Sequence, residues 1–547
     1  MLLAVHPGSE ETTAPRSPAR ALTGWDATLL IVLTAGIAYS NSFAVPFQFD
    51  DAVALTGNPA ITGFHLDPRG RRILGDLSFA ASYRLFGDRP LGYHVVNVAI
   101  HVANALLVFW LVRSLVRSDS MRRAAAGGRD TAIAVVAAVL FAVHPMQTQA
   151  VTYIVQRYAS LAAGFFLLAC CSYVRFRLAS SARASFAWYA LFLASSLAAF
   201  ETKESALVLP LAILLLELVF FSATARRRLL FFSPFLLGAA AAAGLALASG
   251  LTLGRLDAAT RLGTELPRYD YALTQLRVVA TYLRLLVVPV GQNLDHDVSV
   301  SRSFLEPGVL LAAAAHAALL GGAALALARG RRKDPLWRLV GFGVLWFYVT
   351  LLVESSFIPI VDLMFEHRVY LPSVGILVAA AALLAGIPAL SSRRAWGATV
   401  LALTLALMGL TLARNRVWRS DLALWTDAVS KSPNKARPLN NLGAALFARG
   451  DPGGAFALYE RAIRADPWYV KAYFNLGEAL QSLGQYAEAI PPYERFRRWE
   501  PGYPDTYRNL AECYERTGGL EAAAQLRAAY ERISRENAGA PLPPSLR

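Results

Sequence analysis

Up to about residue 413 the chain alternates long apolar runs with short polar connectors, and beyond that point the apolar positions thin to a helical stripe. An apolar run of roughly 20 residues can cross a bilayer as a helix. Such runs lie at 25–43, 92–113, 131–149, 158–176, 186–200, 206–222, 229–250, 308–328, 337–354, 370–390 and 396–413, which predicts eleven spans. A further apolar segment, 271–290, contains Arg277 and Arg284 and reads as a re-entrant or interfacial helix. Were it to cross, the C-terminal region would change sides, or a weak run such as 186–200 would not span.

The C-terminal pattern has a longer period. Pro433, Pro467 and Pro501 stand 34 residues apart, in register with Leu442-Gly443, Leu476-Gly477 and Leu510-Ala511. That is the period of a tetratricopeptide (TPR) helix pair. Gly443 and Gly477 let paired helices approach, and the prolines end each second helix. Repeat one reads as 436–469 and repeat two as 470–503; a third starts at 504 and loses the pattern after Arg527. The expected organisation is a cytoplasmic tail (1–24), a membrane domain (25–413), a half repeat (414–435), a TPR domain (436–537) and a disordered tail (538–547). The fold class is all-α: a polytopic membrane domain followed by a TPR solenoid.

Charge sharpens the topology. Only 17% of the 547 residues are charged, against roughly 25% in soluble proteins, and the mean hydropathy is +0.40. The net charge of +15 could suggest nucleic acid, but the arginines gather between apolar runs: in the tail and at 113–129, 175–183, 226–228, 329–333 and 393–394. This is a positive-inside pattern, so no nucleic-acid partner is expected. Eleven spans then put the N-terminus in the cytoplasm and the repeats on the other side. The tail lacks an A-x-A site, so the first run reads as an uncleaved anchor. The three cysteines form neither a disulfide framework nor a zinc spacing.

Nearly all the acidic and histidine residues outside the repeats converge on the non-cytoplasmic side. Asp50 and Asp51 follow the first span; a carboxylate there can act as general base or hold a divalent cation such as Mg or Mn, or can simply end a helix in water. His94, Asn97, His101 and Asn104 share one face of the second span, either as a functional stripe or as an interhelical hydrogen-bond seam. His144-Pro145 breaks the third span, and Arg157 beyond it can grip a phosphate or anchor the interface. Glu201, Lys203 and Glu204 sit in a tight connector, as a phosphate-binding lysine with orienting carboxylates or as a solvated turn. Glu366, His367, Arg368 and Tyr370 open the tenth span, where an Arg–His pair can hold a lipid phosphate.

In their order, Phe49-Asp50-Asp51, His94-x-x-Asn97-x-x-x-His101-x-x-Asn104, His144-Pro145, Lys203-Glu204, Arg368-x-Tyr370-Leu371-Pro372 and the repeats resemble the transmembrane and tetratricopeptide repeat O-mannosyltransferase family and its bacterial relatives. The resemblance implies a GT-C glycosyltransferase fold in a bacterial inner membrane. It further implies a polyprenyl-phosphate-linked sugar as donor, within the membrane lipid, and acceptor proteins held in the TPR groove. Asp50 or Asp51 matches the family's catalytic position. Arg368, with Glu366 and Tyr370, matches a late Glu-Arg-x-Tyr-Leu-Pro-like motif, in which His367 fills a slot expected to be Arg. Gln149 stands where Glu is usual, and the repeats are few. Outside the resemblance, the residues are also compatible with a non-catalytic TPR scaffold for envelope assembly, or with a polysaccharide polymerase, ligase or flippase.

Overall fold

The computed structural model describes residues 24–65, 72–121, 129–248, 264–390 and 392–537. The expected disordered tail at 538–547 and most of the cytoplasmic tail lie outside them. The chain is all-α. Among the described residues five helices are long and apolar enough to cross a membrane: Pro90–Val116, Ile154–Leu178, Pro307–Arg332, Glu366–Ala385 and Arg394–Val417. A sixth counts if Thr131–Val143 and Pro145–Val151, bent by 53° at their junction, form one span. Gly24–Ala38 and Leu336–Leu351 are shorter apolar helices, and the remaining runs of the expected eleven coincide with Ala182–Phe200, Leu209–Phe220 and Ala225–Ala248. The segment with Arg277 and Arg284 is the Arg268–Val287 helix, which is not among the span-forming helices.

The bend is written in the sequence. Pro145 cannot continue the helix hydrogen bonding, and the His144 side chain caps the new turn by accepting from the Met146 N–H (3.2 Å). Its Nε2 reaches the Leu286 carbonyl (3.1 Å), tying this break to the Arg268–Val287 helix. The membrane core is one apolar cluster built from the Pro90–Val116, Arg129–Val143, Arg157–Leu178, Leu209–Phe220 and Tyr370–Ala385 helices. Glycines set its closest approach: a Cβ on Gly343 would lie 2.2 Å from the Gly375 carbonyl. The Leu336–Leu351 and Tyr370–Ala385 helices therefore touch backbone to backbone, as small-residue pairs allow in membranes.

The last membrane helix runs to Val417, four residues past the expected boundary, and the half repeat is the Asp421–Lys431 helix. Three helix pairs follow: Ala436–Phe447 with Pro452–Ala465, Val470–Ser482 with Tyr486–Trp499, and Pro504–Arg516 with Leu520–Glu536. The third pair does not fade after Arg527, because its second helix continues to Glu536 with Leu526 and Ile533 buried. Gly443 and Gly477 face Tyr459 and Tyr493 closely enough that a Cβ would sit 2.6 Å from either ring. The turn inside each pair is made by Gly450, Gly484 and Gly518, with φ of 81°, 76° and 88°, a conformation only glycine adopts freely.

A second apolar cluster joins the two regions. Val45, Leu55, Tyr93, Tyr153 and Leu294 from the membrane region pack with Trp418, Leu424, Trp425, Ala436 and Leu439. The start of the solenoid is therefore seated on the polar face of the membrane domain.

Candidate functional site

The loop after the first helix presents two adjacent carboxylates in opposite directions. Asp51 is fully buried. Its Oδ2 accepts from the Gln48 N–H (3.0 Å) and its Oδ1 from the Val155 N–H (2.7 Å), which staples the loop to the 153–157 segment. Burial pushes its carboxyl up to about 7, with the N–H donors of Gln48 and Val155 pulling the other way. Asp50 keeps solvent access. Its N–H donates to the Tyr153 hydroxyl (3.2 Å). The protein around it raises its carboxyl above the usual range, while the Tyr153 hydroxyl, Arg437 and Lys471 draw it back down and Asp362 adds to the rise. Of the two, Asp50 is the one open to solvent.

A narrow cleft is lined by Lys203, Glu354, His367, Arg368, Tyr370 and apolar residues such as Phe166. Lys203 Nζ and Glu354 Oε1 are 2.5 Å apart and mostly buried. The Arg368 guanidinium donates to the Asp362 carbonyl (2.8 Å) and to those of Glu354 and Leu363 (3.4 Å each), so the 354–363 turn holds it in place. The His367 N–H donates to Gln149 Oε1 (2.7 Å) and its ring stacks on Phe365. His367 Nδ1 is buried without a hydrogen-bond partner among the described residues. The Gln149 amide thus orients the backbone at His367.

Glu366 turns away from this cleft. It accepts from the Asn293 N–H (2.7 Å) and Gln292 Nε2 (3.2 Å) and meets His296 Nε2 (2.9 Å), so it anchors the 292–296 loop.

The other sequence-selected residues hold helices together. His94 Nε2 meets the Val45 carbonyl (2.9 Å), and Asn97 Nδ2 donates to those of Val151 and Ile154. His101 contacts the Tyr370 hydroxyl (2.7 Å) and the Ala142 carbonyl (3.0 Å). Asn104 donates to the Ser160 carbonyl (2.7 Å) and the Tyr370 hydroxyl (3.0 Å). The polar stripe is therefore an interhelical seam, and it ends under the cleft at Tyr370. Arg157 is buried away from the cleft; it donates to Asn97 Oδ1 (2.6 Å), Ser82 Oγ (2.8 Å) and the Ser78 and Tyr93 carbonyls, with its guanidinium 4.3 Å from the Phe79 ring centroid. Glu204 pairs with Arg72 at the surface (3.1 Å), and the Glu201 carbonyl accepts from the Leu74 N–H. Among the described residues no group of three His, Cys, Asp or Glu is placed to hold a metal ion.

Sequence reasoning passed over the 292–297 loop and the first solenoid residues. Asp295, buried, pairs with Lys435 (2.5 Å) and Arg437 (3.5 Å). Ser432 Oγ donates to the Asp295 carbonyl and accepts from Asn293 Nδ2 and the Asp297 N–H. Arg437 also donates to Asp362 Oδ1 (2.6 Å), whose backbone holds Arg368. Arg437, within electrostatic reach of Asp50, thus connects through Asp362 to the cleft. One signal could have found it. The chain has 53 basic residues but only five lysines, and four of them gather here: Lys203, Lys431 on the Gln292 carbonyl, Lys435, and Lys471 beside Asp50.

Fold and site together define a polytopic helical membrane protein with a TPR solenoid docked on its polar face. A tetratricopeptide repeat family model matches residues 446–491. The chain is 31% identical over 164 residues to the protein O-mannosyl-transferase TMTC3 of Mus musculus, covering 27% of this chain and 16% of that protein. It is 32% identical over 192 residues to the protein O-mannosyl-transferase Tmtc3 of Drosophila melanogaster, 30% of this chain and 20% of that one. The likeness to O-mannosyltransferases expected from the motifs is thus present in these relatives, while the chain spans about a fifth of their length. Among solved structures, the MamA protein is 24% identical with a TM-score of 0.20, covering 26% of this chain and 74% of that one.

Proposed function

We propose that the chain is an inverting membrane glycosyltransferase. It moves a sugar, mannose as the names of the O-mannosyl-transferases it resembles suggest, from a polyprenyl-phosphate donor to a serine or threonine hydroxyl of a protein acceptor. The reaction takes place on the non-cytoplasmic face of a bacterial inner membrane, with the N-terminus in the cytoplasm and the solenoid holding the acceptor. The observation that carries this reading is a solvent-accessible carboxylate, Asp50, linked through the charges of Arg437 and Asp362 to a cleft lined by Lys203 and Arg368.

Asp50 takes the proton of the acceptor hydroxyl as that oxygen bonds to the anomeric carbon. The bond from that carbon to the phosphate oxygen breaks on the opposite face, and the polyprenyl phosphate leaves with the electron pair. Arg368 and Lys203 stabilise the charge that develops on it. Arg368 is prearranged by the 354–363 turn, so little reorganisation is needed when the phosphate arrives. Arg157, His94, Asn97, His101 and Asn104 serve as the scaffold beneath.

The test is transfer of labelled mannose from undecaprenyl phosphate to acceptor peptide in vesicles holding the full chain. Asp50→Asn should lower kcat by about a thousandfold or more, within the range that loss of a general base produces, while the protein still inserts. Undiminished transfer by Asp50→Asn would falsify the proposal.

A further inference from the structure

Phe49 has a φ of 52°, one of two positive values at non-glycine residues among the described residues. A bulky side chain disfavours that backbone region and stays there only where its surroundings over-determine it. Here much of what determines it comes from the solenoid side. The Phe49 ring meets Trp425 edge-on with centroids 5.3 Å apart, and Tyr153 at 6.2 Å. The Arg437 guanidinium lies 5.9 Å from the Phe49 ring centroid and is itself fixed by Asp362 and Asp295. Trp425 is buried on the half-repeat helix, and Arg437 sits on the first full TPR helix. Tyr153, which holds the Asp50 N–H, stacks on Trp418 at the entry to that half repeat. The two residues after Phe49 are the outward Asp50 and the inward, stapled Asp51, so a rotation at Phe49 would turn both.

We propose that Trp425 and Arg437 are positioning residues: the first helices of the solenoid clamp Phe49, which aims Asp50 at the acceptor and keeps Asp51 on Gln48 and Val155. The catalytic half of this proposal rests on the reading of Asp50 as the base; the clamp itself does not. The solenoid then forms one wall of the reaction centre as well as a groove for the acceptor. Lys471, on the second repeat, lies within electrostatic reach of Asp50 and Arg437.

The experiment uses the full chain in nanodiscs with Trp425→Ala, Trp425→Phe and Arg437→Gln. Hydrogen exchange is followed at the Gln48 and Val155 amides, and transfer is followed with undecaprenyl-phosphate mannose and a serine-rich peptide. Trp425→Ala and Arg437→Gln should speed exchange at both amides by about tenfold or more, and Trp425→Phe should stay near wild type. kcat should fall about tenfold or more with the donor KM changed less than about twofold, since misaimed groups cost rate rather than donor affinity. Arg437→Gln should also move the acid limb of the rate profile to higher pH, because Asp50 loses a cation that lowers its carboxyl while Lys471, Tyr153 and Asp362 stay in place. Unchanged exchange in both variants overturns the clamp. Faster exchange with unchanged kcat and acid limb overturns the positioning role. A wild-type chain that transfers no mannose, yet loosens at Gln48 and Val155 in Trp425→Ala, supports the clamp and removes the transferase reading.

Discussion

At the scale of single residues, adjacent carboxylates have been given different work by their surroundings. Asp51 trades water for two backbone N–H groups in a fully buried position. Its folded-state value of about 7 lies above the ordinary 3.8. The folded chain therefore keeps a proton that the unfolded chain releases above about pH 4. The stabilising contribution of that proton is complete at low pH and is lost as pH rises towards 7, by up to a few kcal/mol. Asp51→Asn removes the titration but keeps one acceptor oxygen, so one N–H donor loses its partner at a cost of about 1–3 kcal/mol. The variant should melt below wild type at pH 5, and the gap should narrow by pH 8. Thermal unfolding in detergent across that range measures it; a gap that widens with pH would mean the N–H donors hold Asp51 ionised. The sequence reading marked both aspartates and could not separate them, because two of the partners that distinguish them, Val155 and Tyr153, lie more than a hundred positions away.

At the scale of elements, most helices were legible from period and composition alone, and so were the helix break at His144-Pro145 and the 34-residue repeat. The physical reason is that lipid and helix packing impose one-dimensional rules that a single chain displays. The hydrogen-bond seam on the Pro90–Val116 helix was legible as a shared face, and its partners Ser160, Ala142 and Tyr370 were not. Inside Leu336–Leu351, Gly343 lies against the Gly375 carbonyl with no room for a Cβ. This contact carries a consequence for the site, since the Tyr370–Ala385 helix opens two residues after Arg368. Gly343→Val puts side-chain carbons against a backbone carbonyl that has no rotamer to change. It should destabilise by about 1–3 kcal/mol and displace Arg368 and Tyr370, seen as a lower melting temperature together with weaker protection of the 366–370 backbone in hydrogen exchange. Gly409, with open space where a Cβ would go, offers the matched control, and Gly409→Ala should leave both unchanged.

At the scale of the whole molecule, two regions that the sequence presents as separate are joined through a loop it does not advertise. Asp295 is the centre of that joint: it is 2% exposed and lies against Lys435 and Arg437, while its own backbone carbonyl receives Ser432 and its neighbour Gln292 receives Lys431. Glu366 grips the same loop from the membrane side through Asn293, Gln292 and His296. The loop is thus a two-sided connector, with the late motif on one side and the solenoid on the other. Removing the Asp295 charge leaves two cations facing each other across an empty acceptor. Both retain some solvent access, so the cost should sit below the roughly 3–5 kcal/mol of a fully buried broken pair. Asp295→Ala should therefore loosen the docking without unfolding either region. Limited proteolysis should show faster cleavage near 432–435, hydrogen exchange should rise at 292–297 and 436–440, and protection within Val470–Ser482 should hold. Arg437 would keep Asp362 as its partner, so a double change of Asp295 and Asp362 to Ala should loosen the joint further than either alone. Equal protection in all three variants would show that the apolar seat of Trp418, Trp425 and Leu294 holds the solenoid in place without the ion pairs.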